Sequence, residues 1–278
     1  MSLADIIDWA MLSDVGQQRS HNEDAVGGDP EIGLGVLADG MGGHNAGEVA
    51  SAMAVETIVN EVRGGLNLDQ PQVDTADSSP YSPESKIVRD AIVLANESIF
   101  QAAEKQPQYH GMGTTVVVLL FYNDRLTVAH LGDSRLYRLR TGHLEKMTTD
   151  HSLVQELEDL GYYAAEPQAR NSIPKNYVTR AMGVAEAPEV EVAEAAVQPD
   201  DLYLICSDGL SDLVSDGEIA PCLQAYEDDL DEAARQLIAK ANKAGGNDNI
   251  SIVLARVKQP FPDVGKMSWF RRILHQFR

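Results

Sequence analysis

The sequence predicts an α+β fold built on antiparallel sheets, and two observations carry that prediction. The β-like runs lie near one another in the chain and are separated by short turn signals, so strands pair with near neighbours. The helical periods come in consecutive pairs rather than one after each strand. A doubly wound parallel sheet would need a crossover helix after every strand, so it is excluded. At 278 residues the chain is long enough to bury a sizeable core.

The elements follow in order. Trp9 to Val15 and Ile32 to Ala38 are the first strand-like runs. Helical period occupies about 46–63, with Val49, Met53, Ile58, Val59 and Val62 on or near one face. Residues 64–82 form a polar, Gly- and Pro-containing loop whose composition favours disorder. Ser82-Pro83-Glu84 reads as an N-cap followed by Pro at the first helical position, opening a helix that runs to about Lys105. Thr114 to Tyr122, Arg125 to Leu131 and Leu136 to Arg140 are strands. With turns at Asn123-Asp124 and Thr141-Gly142, residues 114–147 read as one antiparallel meander. Residues 152–160 form a short helix stopped by Gly161, and an irregular stretch over 162–175 precedes the run Tyr177 to Ala181. The strand Leu202 to Cys206, helices at about 216–226 and 229–244, and the strand Ile250 to Val257 complete the pattern. No internal repeat is present.

The charge narrows the function. There are 22 basic residues against 43 acidic ones, a net charge of −21. That field disfavours nucleic acid and anionic membranes as partners of the body, and it suits divalent cations. Cys206 and Cys222 form neither a disulfide framework nor a CxxC metal pair, and Cys206, inside an apolar run, reads as a buried structural thiol. No signal peptide is apparent and no apolar stretch approaches the roughly 18 to 20 residues of a membrane span, so the expected compartment is the cytoplasm.

The chemistry is announced by where the aspartates fall. Ile32 to Ala38 runs into Asp39-Gly40-Met41-Gly42-Gly43, and Leu202 to Cys206 runs into Ser207-Asp208-Gly209, with Asp212 three residues on. Leu126 to Leu131 ends at Gly132-Asp133-Ser134-Arg135, and Asp248 opens the run from Ile250. A carboxylate at the end of a buried strand costs several kcal/mol unless it is paired. Several converging on one point repel each other unless a hard cation lies between them, and oxygen ligands are what Mg²⁺ and Mn²⁺ prefer. Arg19, just ahead of Glu23 and Asp24, offers paired donors matching two phosphate oxygens. Two cations about 3.5–4 Å apart can share one carboxylate and direct water at phosphorus, and Asp39 is the candidate for the shared ligand. The residues alone therefore suggest a multi-metal hydrolytic site acting on phosphate.

In this order and spacing, the chain resembles the metal-dependent serine/threonine protein phosphatases of type 2C, in their bacterial form. The matching segments are Arg19-Ser-His-Asn-Glu-Asp24, Val36-Leu-Ala-Asp-Gly-Met-Gly-Gly-His-Asn-Ala-Gly-Glu48, Gly111-Met-Gly-Thr-Thr115, His130-Leu-Gly-Asp-Ser-Arg135, Asp150-His-Ser-Leu153, Val178-Thr-Arg-Ala-Met-Gly183, Ser207-Asp-Gly-Leu-Ser-Asp212 and Gly246-Asn-Asp-Asn-Ile250. The resemblance implies a central β-sandwich of two antiparallel sheets flanked by helices, in α-β-β-α layers, with the metals at one end. It implies that Asp39 bridges two Mn²⁺ or Mg²⁺ ions, that the Gly40 carbonyl binds one, and that Asp208 and Asp248 bind the other. Asp133 and Asp212 match ligands of a third, weaker metal. Glu23 and Asp24 would hold metal-bound waters or orient ligands, and Arg19 would take the substrate phosphate. Residues 161–180 match a variable flap beside the site. Where eukaryotic relatives often carry a histidine after the Asp-Gly, this chain has Met41, which leaves the general acid unassigned; His44 is a candidate.

The implied activity is hydrolysis of phosphoserine and phosphothreonine in proteins, substrates of a serine/threonine kinase, by a monomer using metal-activated water and no phosphoenzyme. A phosphatase dedicated to one regulatory phosphoprotein, a small-molecule phosphomonoesterase and a non-catalytic module of the same fold are the alternatives. The complete ligand set speaks against the last. The phosphatase domain is expected over residues 1–257. Residues 258–278 form a basic amphipathic tail, with five basic residues against Asp263 and with Trp269, Phe270, Ile273, Leu274 and Phe277 at helical spacing. The tail reads either as a weak membrane-surface or partner-binding helix or as a clamp on its own acidic domain.

Overall fold

The computed structural model describes residues 3–43, 46–67, 80–162 and 177–261. Two antiparallel sheets stack face to face. One has the order β1 (Ile7–Asp14), β11 (Ile250–Val257), β10 (Leu202–Cys206), β7 (Arg135–Arg140), β8 (His143–Lys146). The other has the order β2 (Asp24–Asp29), β3 (Leu34–Met41), β5 (Val116–Tyr122), β6 (Arg125–Leu131), β9 (Glu191–Ala196), with β4 (Gly113–Thr114) paired to the end of β3.

Period-2 burial builds the layers. Along β5, Val117, Leu119 and Phe121 point between the sheets, while Val116, Val118 and Leu120 point outward. The outward set is covered by α1 (Ala46–Asn67) and α2 (Pro83–Lys105), through Ala50, Ala54, Ile58, Ile92 and Ile99. The other sheet is covered by α5 (Asp216–Ala225) and α6 (Leu230–Lys243), through Ile219, Leu223, Leu237 and Ala241. Phe121 anchors the inter-sheet core, with edge-to-face contacts to Trp9 at 5.8 Å and Tyr203 at 5.4 Å. Two shorter helices, α3 (Leu153–Asp159) and α4 (Asp208–Ser211), sit in connections. The α-β-β-α expectation stands. So does the buried thiol of Cys206, which burial pushes up to about 12.

Three details differ from the sequence reading. The supposed meander over 114–147 is two hairpins in two sheets: β5 pairs β6, β7 pairs β8, and the chain crosses between sheets at Gly132-Asp133-Ser134. The first helix continues to Asn67 instead of ending near 63, because Gly65 lets it close on α2. A Cβ there would stand 2.8 Å from Ile87 Cγ2. Two edge strands escaped notice. β2 carries Gly27-Gly28, where side chains would strike Val55 of α1 and the Leu34 carbonyl, so the glycines serve close packing and leave no alternation to read. β9 has a helix-favouring Ala/Glu composition that pairing with β6 overrides.

The segment after β11 stays on the body at first. Lys258 N–H donates to Ile6 O at 2.8 Å, and Phe261 stacks on Phe121 with centroids 6.4 Å apart. Phe261→Ala is therefore expected to destabilise the fold by about 1–2 kcal/mol from lost burial and ring contact. A melting temperature unchanged within a degree would reject that contact. Residues 262–278, which carry most of the basic tail, lie outside the described residues.

Candidate metal centre

The antiparallel topology brings the end of β3, the start of β2, the end of β10, the start of β11 and the β6–β7 crossover to the same end of the sandwich. Asp39 on β3 sits directly opposite Asp24 on β2 in the strand register. Its main chain is held on both sides. Asp39 N–H donates to Thr115 Oγ1 at 3.1 Å, and its carbonyl accepts from Thr115 N–H and from Thr114 Oγ1, both at 2.8 Å. Gly40 N–H donates to Glu23 O at 3.1 Å. A side chain at Gly40 would lie 2.1 Å from Gly47 O, so glycine is what allows the first turn of α1 to approach β3 here.

Asp208 opens α4, whose start is pressed on the strand entry: a Cβ on Gly209 would stand 2.0 Å from Asn249 O. Asp212 caps the same turn, its N–H bonded to Asp208 O at 2.8 Å. Ser207 Oγ donates to Asp24 Oδ2 at 2.9 Å and accepts from Ser251 N–H at 3.0 Å, so one hydroxyl joins β2, β10 and β11. Asn249 is the other clip. Its Oδ1 accepts from Glu23 N–H at 2.8 Å, and its Nδ2 donates to Val15 O and His21 O at 2.9 and 3.0 Å. That fixes the loop bearing Arg19 against the strand entry bearing Asp248. Arg19 donates to Asp248 Oδ2 at 2.6 Å.

The electrostatics follow from burial and crowding. Burial pushes the carboxyls of Asp24 and Asp133 up to about 6 and that of Asp208 to about 7. Asp39 is held well above the usual carboxylate range by burial and then by repulsion from Asp24, Asp208, Asp133 and Asp248. Burial also raises Glu23, while the hydrogen bond to Asp248 raises Arg19.

The residues present fit divalent metal. The donor set is carboxylate oxygen, which hard cations take, and a dication would remove the repulsion that raises these groups. Asp24 Oδ1 is buried with no hydrogen-bond partner, although a buried carboxylate oxygen is normally paired. Among the described residues, the only trio of ligand atoms within 4.8 Å of one another is His130, His151 and Glu191.

Of the residues singled out from the sequence, Arg19, Glu23, Asp24, Asp39, Gly40, Asp133, Asp208, Asp212 and Asp248 all lie at this end, and His44 falls outside the described residues. Sequence reasoning assigned no role to Thr114, Thr115, Ser207 or Asn249. Their signal was a hydroxyl or amide at the first or last position of a buried run, where a polar group needs a partner.

A family model described as protein phosphatase 2C matches residues 16–251. The chain is 39% identical over 254 residues to the serine/threonine protein phosphatase PstP of Mycobacterium tuberculosis, covering 91% of this chain and 45% of PstP. The chain therefore spans under half the length of that relative. It is 38% identical over 245 residues to the serine/threonine phosphatase stp of Listeria welshimeri, covering 87% of this chain and 92% of that protein. The crystal structure of the PstP catalytic domain, in complex with two manganese ions, superposes with a TM-score of 0.75 at 35% identity, over 91% of this chain and 99% of that one.

Proposed function

The chain belongs to the protein phosphatase 2C family, and from that premise we propose that it is a metal-dependent protein serine/threonine phosphatase. The observation that carries the reading is the convergence of buried, mutually repelling carboxylates at one end of the sandwich, with Asp24 Oδ1 left without a partner. Asp39 would be the shared ligand of two Mn²⁺ or Mg²⁺ ions, with the Gly40 carbonyl on one and Asp208 and Asp248 on the other. Asp133 and Asp212 would hold a third, weaker ion, and Glu23 and Asp24 would orient coordinated waters. When bound, the ions supply an activated water at neutral pH and offset the charge of the phosphoryl group. Arg19 would receive the phosphate of a phosphoserine or phosphothreonine side chain, exchanging its bond to Asp248 for bonds to phosphate oxygens. Asn249 holds that loop in reach. No helix among the described residues is long and apolar enough to cross a membrane, and buried, unpaired Cys206 and Cys222 suit a reducing cytoplasm.

The test is turnover of phosphoserine and phosphothreonine peptides beside p-nitrophenyl phosphate, with Mn²⁺ and after chelation. Metal-dependent release of phosphate from peptides is expected. Turnover confined to the small ester would move the assignment to a small-molecule phosphomonoesterase. In the same assay Arg19→Ala should raise KM for peptides by roughly tenfold, about 1.4 kcal/mol, with a smaller change in kcat. An unchanged KM with a fallen kcat would place Arg19 in the support of Asp248 instead.

A further inference from the structure

The crossover Gly132-Asp133-Ser134 carries the chain from one sheet to the other beside the acidic cluster, and residues 148–151 bind it like a splint. Leu136 N–H donates to Thr148 Oγ1 at 3.0 Å. His130 Nε2 bonds Thr149 O at 2.9 Å, and Arg135 makes a two-pronged pair with Asp150, the shortest contact being 2.6 Å. His151 takes both polar groups of Gly132. Its backbone N–H donates to Gly132 O at 2.9 Å, and its ring Nδ1 accepts from Gly132 N–H at 3.1 Å. Gly132 has φ +111°, and a Cβ there would lie 2.6 Å from Thr115, so this turn is available to glycine alone and needs external bonds to hold it.

The same residue reaches the other way. His151 O accepts from Thr179 N–H at 2.8 Å, Ser152 bridges to Val178, and Leu153 N–H donates to Tyr177 O at 2.9 Å. The arm at 177–180 is therefore laid on the splint at the point where the splint grips the turn.

The rings decide what the cluster is. His130 and His151 stack at 4.7 Å, 15° from parallel. The in-plane lone pairs of two nearly parallel rings do not meet at one point, so His130, His151 and Glu191 do not form a cage for an ion despite their proximity. A carbonyl only accepts, which puts the His130 proton on Nε2. Gly132 N–H only donates, which leaves His151 Nδ1 bare and puts its proton on Nε2, toward Glu191 Oε2 at 3.2 Å.

We propose that His151 is a positioning residue for Asp133: through Nδ1 and its own backbone it fixes the Gly132 turn, and so the weaker metal site, to the 177–180 arm. This rests on the phosphatase reading for the metal and goes beyond it in assigning the residue that sets that site. Ser134 Oγ, next in the turn, bonds Thr115 Oγ1 at 2.8 Å, and Thr115 Oγ1 accepts from Asp39 N–H, so the turn is also tied to the shared ligand.

Asparagine and glutamine separate the two ring nitrogens, because Asn Oδ1 falls near Nδ1 and Gln Oε1 near Nε2. Calorimetric titration with Mn²⁺, with thermal melts alongside, is expected to show His151→Asn keeping the weak-site affinity within about threefold. His151→Gln should weaken it at least tenfold while the tight sites are unchanged. Glu191→Ala, an exposed change that removes only the Nε2 partner, should leave the weak site as in the unaltered protein. Equal weak-site affinities in all variants, a loss in Glu191→Ala, or glutamine outperforming asparagine would overturn the assignment. Failure of the unaltered protein to bind Mn²⁺ would instead overturn the phosphatase reading beneath it.

Discussion

Asp39→Asn is expected to lower phosphopeptide turnover by at least about three orders of magnitude while making the metal-free fold more stable. The two effects have one cause. Asp39 is buried among Asp24, Asp133, Asp208 and Asp248, and that repulsion is the cost the site bears without metal. Asparagine keeps the shape and the main-chain bonds to Thr114 and Thr115, which hold Asp39 whatever its side-chain charge. It removes the negative charge that a shared ligand needs. Water free of metal has a pKa near 15.7 against about 7 when bound, so losing the ion pair removes the nucleophile at neutral pH. Calorimetry on the variant should show the paired tight binding lost, and a chelated melt should show a raised melting temperature. Turnover within tenfold of the unaltered chain, or two Mn²⁺ bound with unchanged affinity, would sink the assignment of Asp39. A lowered melting temperature would show that its role is structural.

The residues that carry charge were legible in the sequence because their signal is local. An aspartate at the end of an apolar run announces itself within ten residues: Asp39, Asp133 and Asp208 close such runs, and Asp248 opens one. The neutral groups that hold them showed only as polar ends of buried runs, and what they bind was not legible, because the partners lie far along the chain. Ser207 is explained by Asp24, and Asn249 by Val15, His21 and Glu23; neither link leaves a mark in its own neighbourhood. The same holds for the fold. Alternation and capping identified the buried strands and the helix opened by Ser82, whose Oγ accepts from Ser85 N–H at 3.1 Å. They failed at β2, where glycines meet an approaching helix, and at the turn after β6. There a hairpin and a crossover look alike until Gly132 is seen to be gripped by His151.

Metal-free protein should lose stability as pH rises from about 4 to about 7, and Mn²⁺ should restore it. Asp24 and Asp133 titrate near 6 and Asp208 near 7 in the folded chain, against about 3.9 for an unperturbed aspartate. Their folded values are raised, so the folded state binds more protons than the unfolded state in this window. The stability they contribute is full below about 4 and is lost as pH climbs through 6 to 7. A tenfold change in proton affinity is worth about 1.4 kcal/mol, so the three groups together amount to several kcal/mol. His151 acts with the opposite sign. Burial lowers its imidazole, which adds stability as pH rises toward about 6.5, but it is one group against three. Burial works to raise Glu194, yet bonds from Ser85, Ser82 and Arg125 hold it down to about 2, so it acts below about 4.3 and outside the window. A dication competes with protons for the same oxygens, so the rise in melting temperature on adding about 1 mM Mn²⁺ should grow steadily with pH, following the ratio of free ion to its dissociation constant. Melts in chelator and in Mn²⁺ from about pH 4.5 to 8 would check both curves. A chelated melting temperature that is flat or rising between about pH 5 and 7.5 would show that the aspartates do not crowd as their positions require, and the case for a shared metal centre would lose its electrostatic basis.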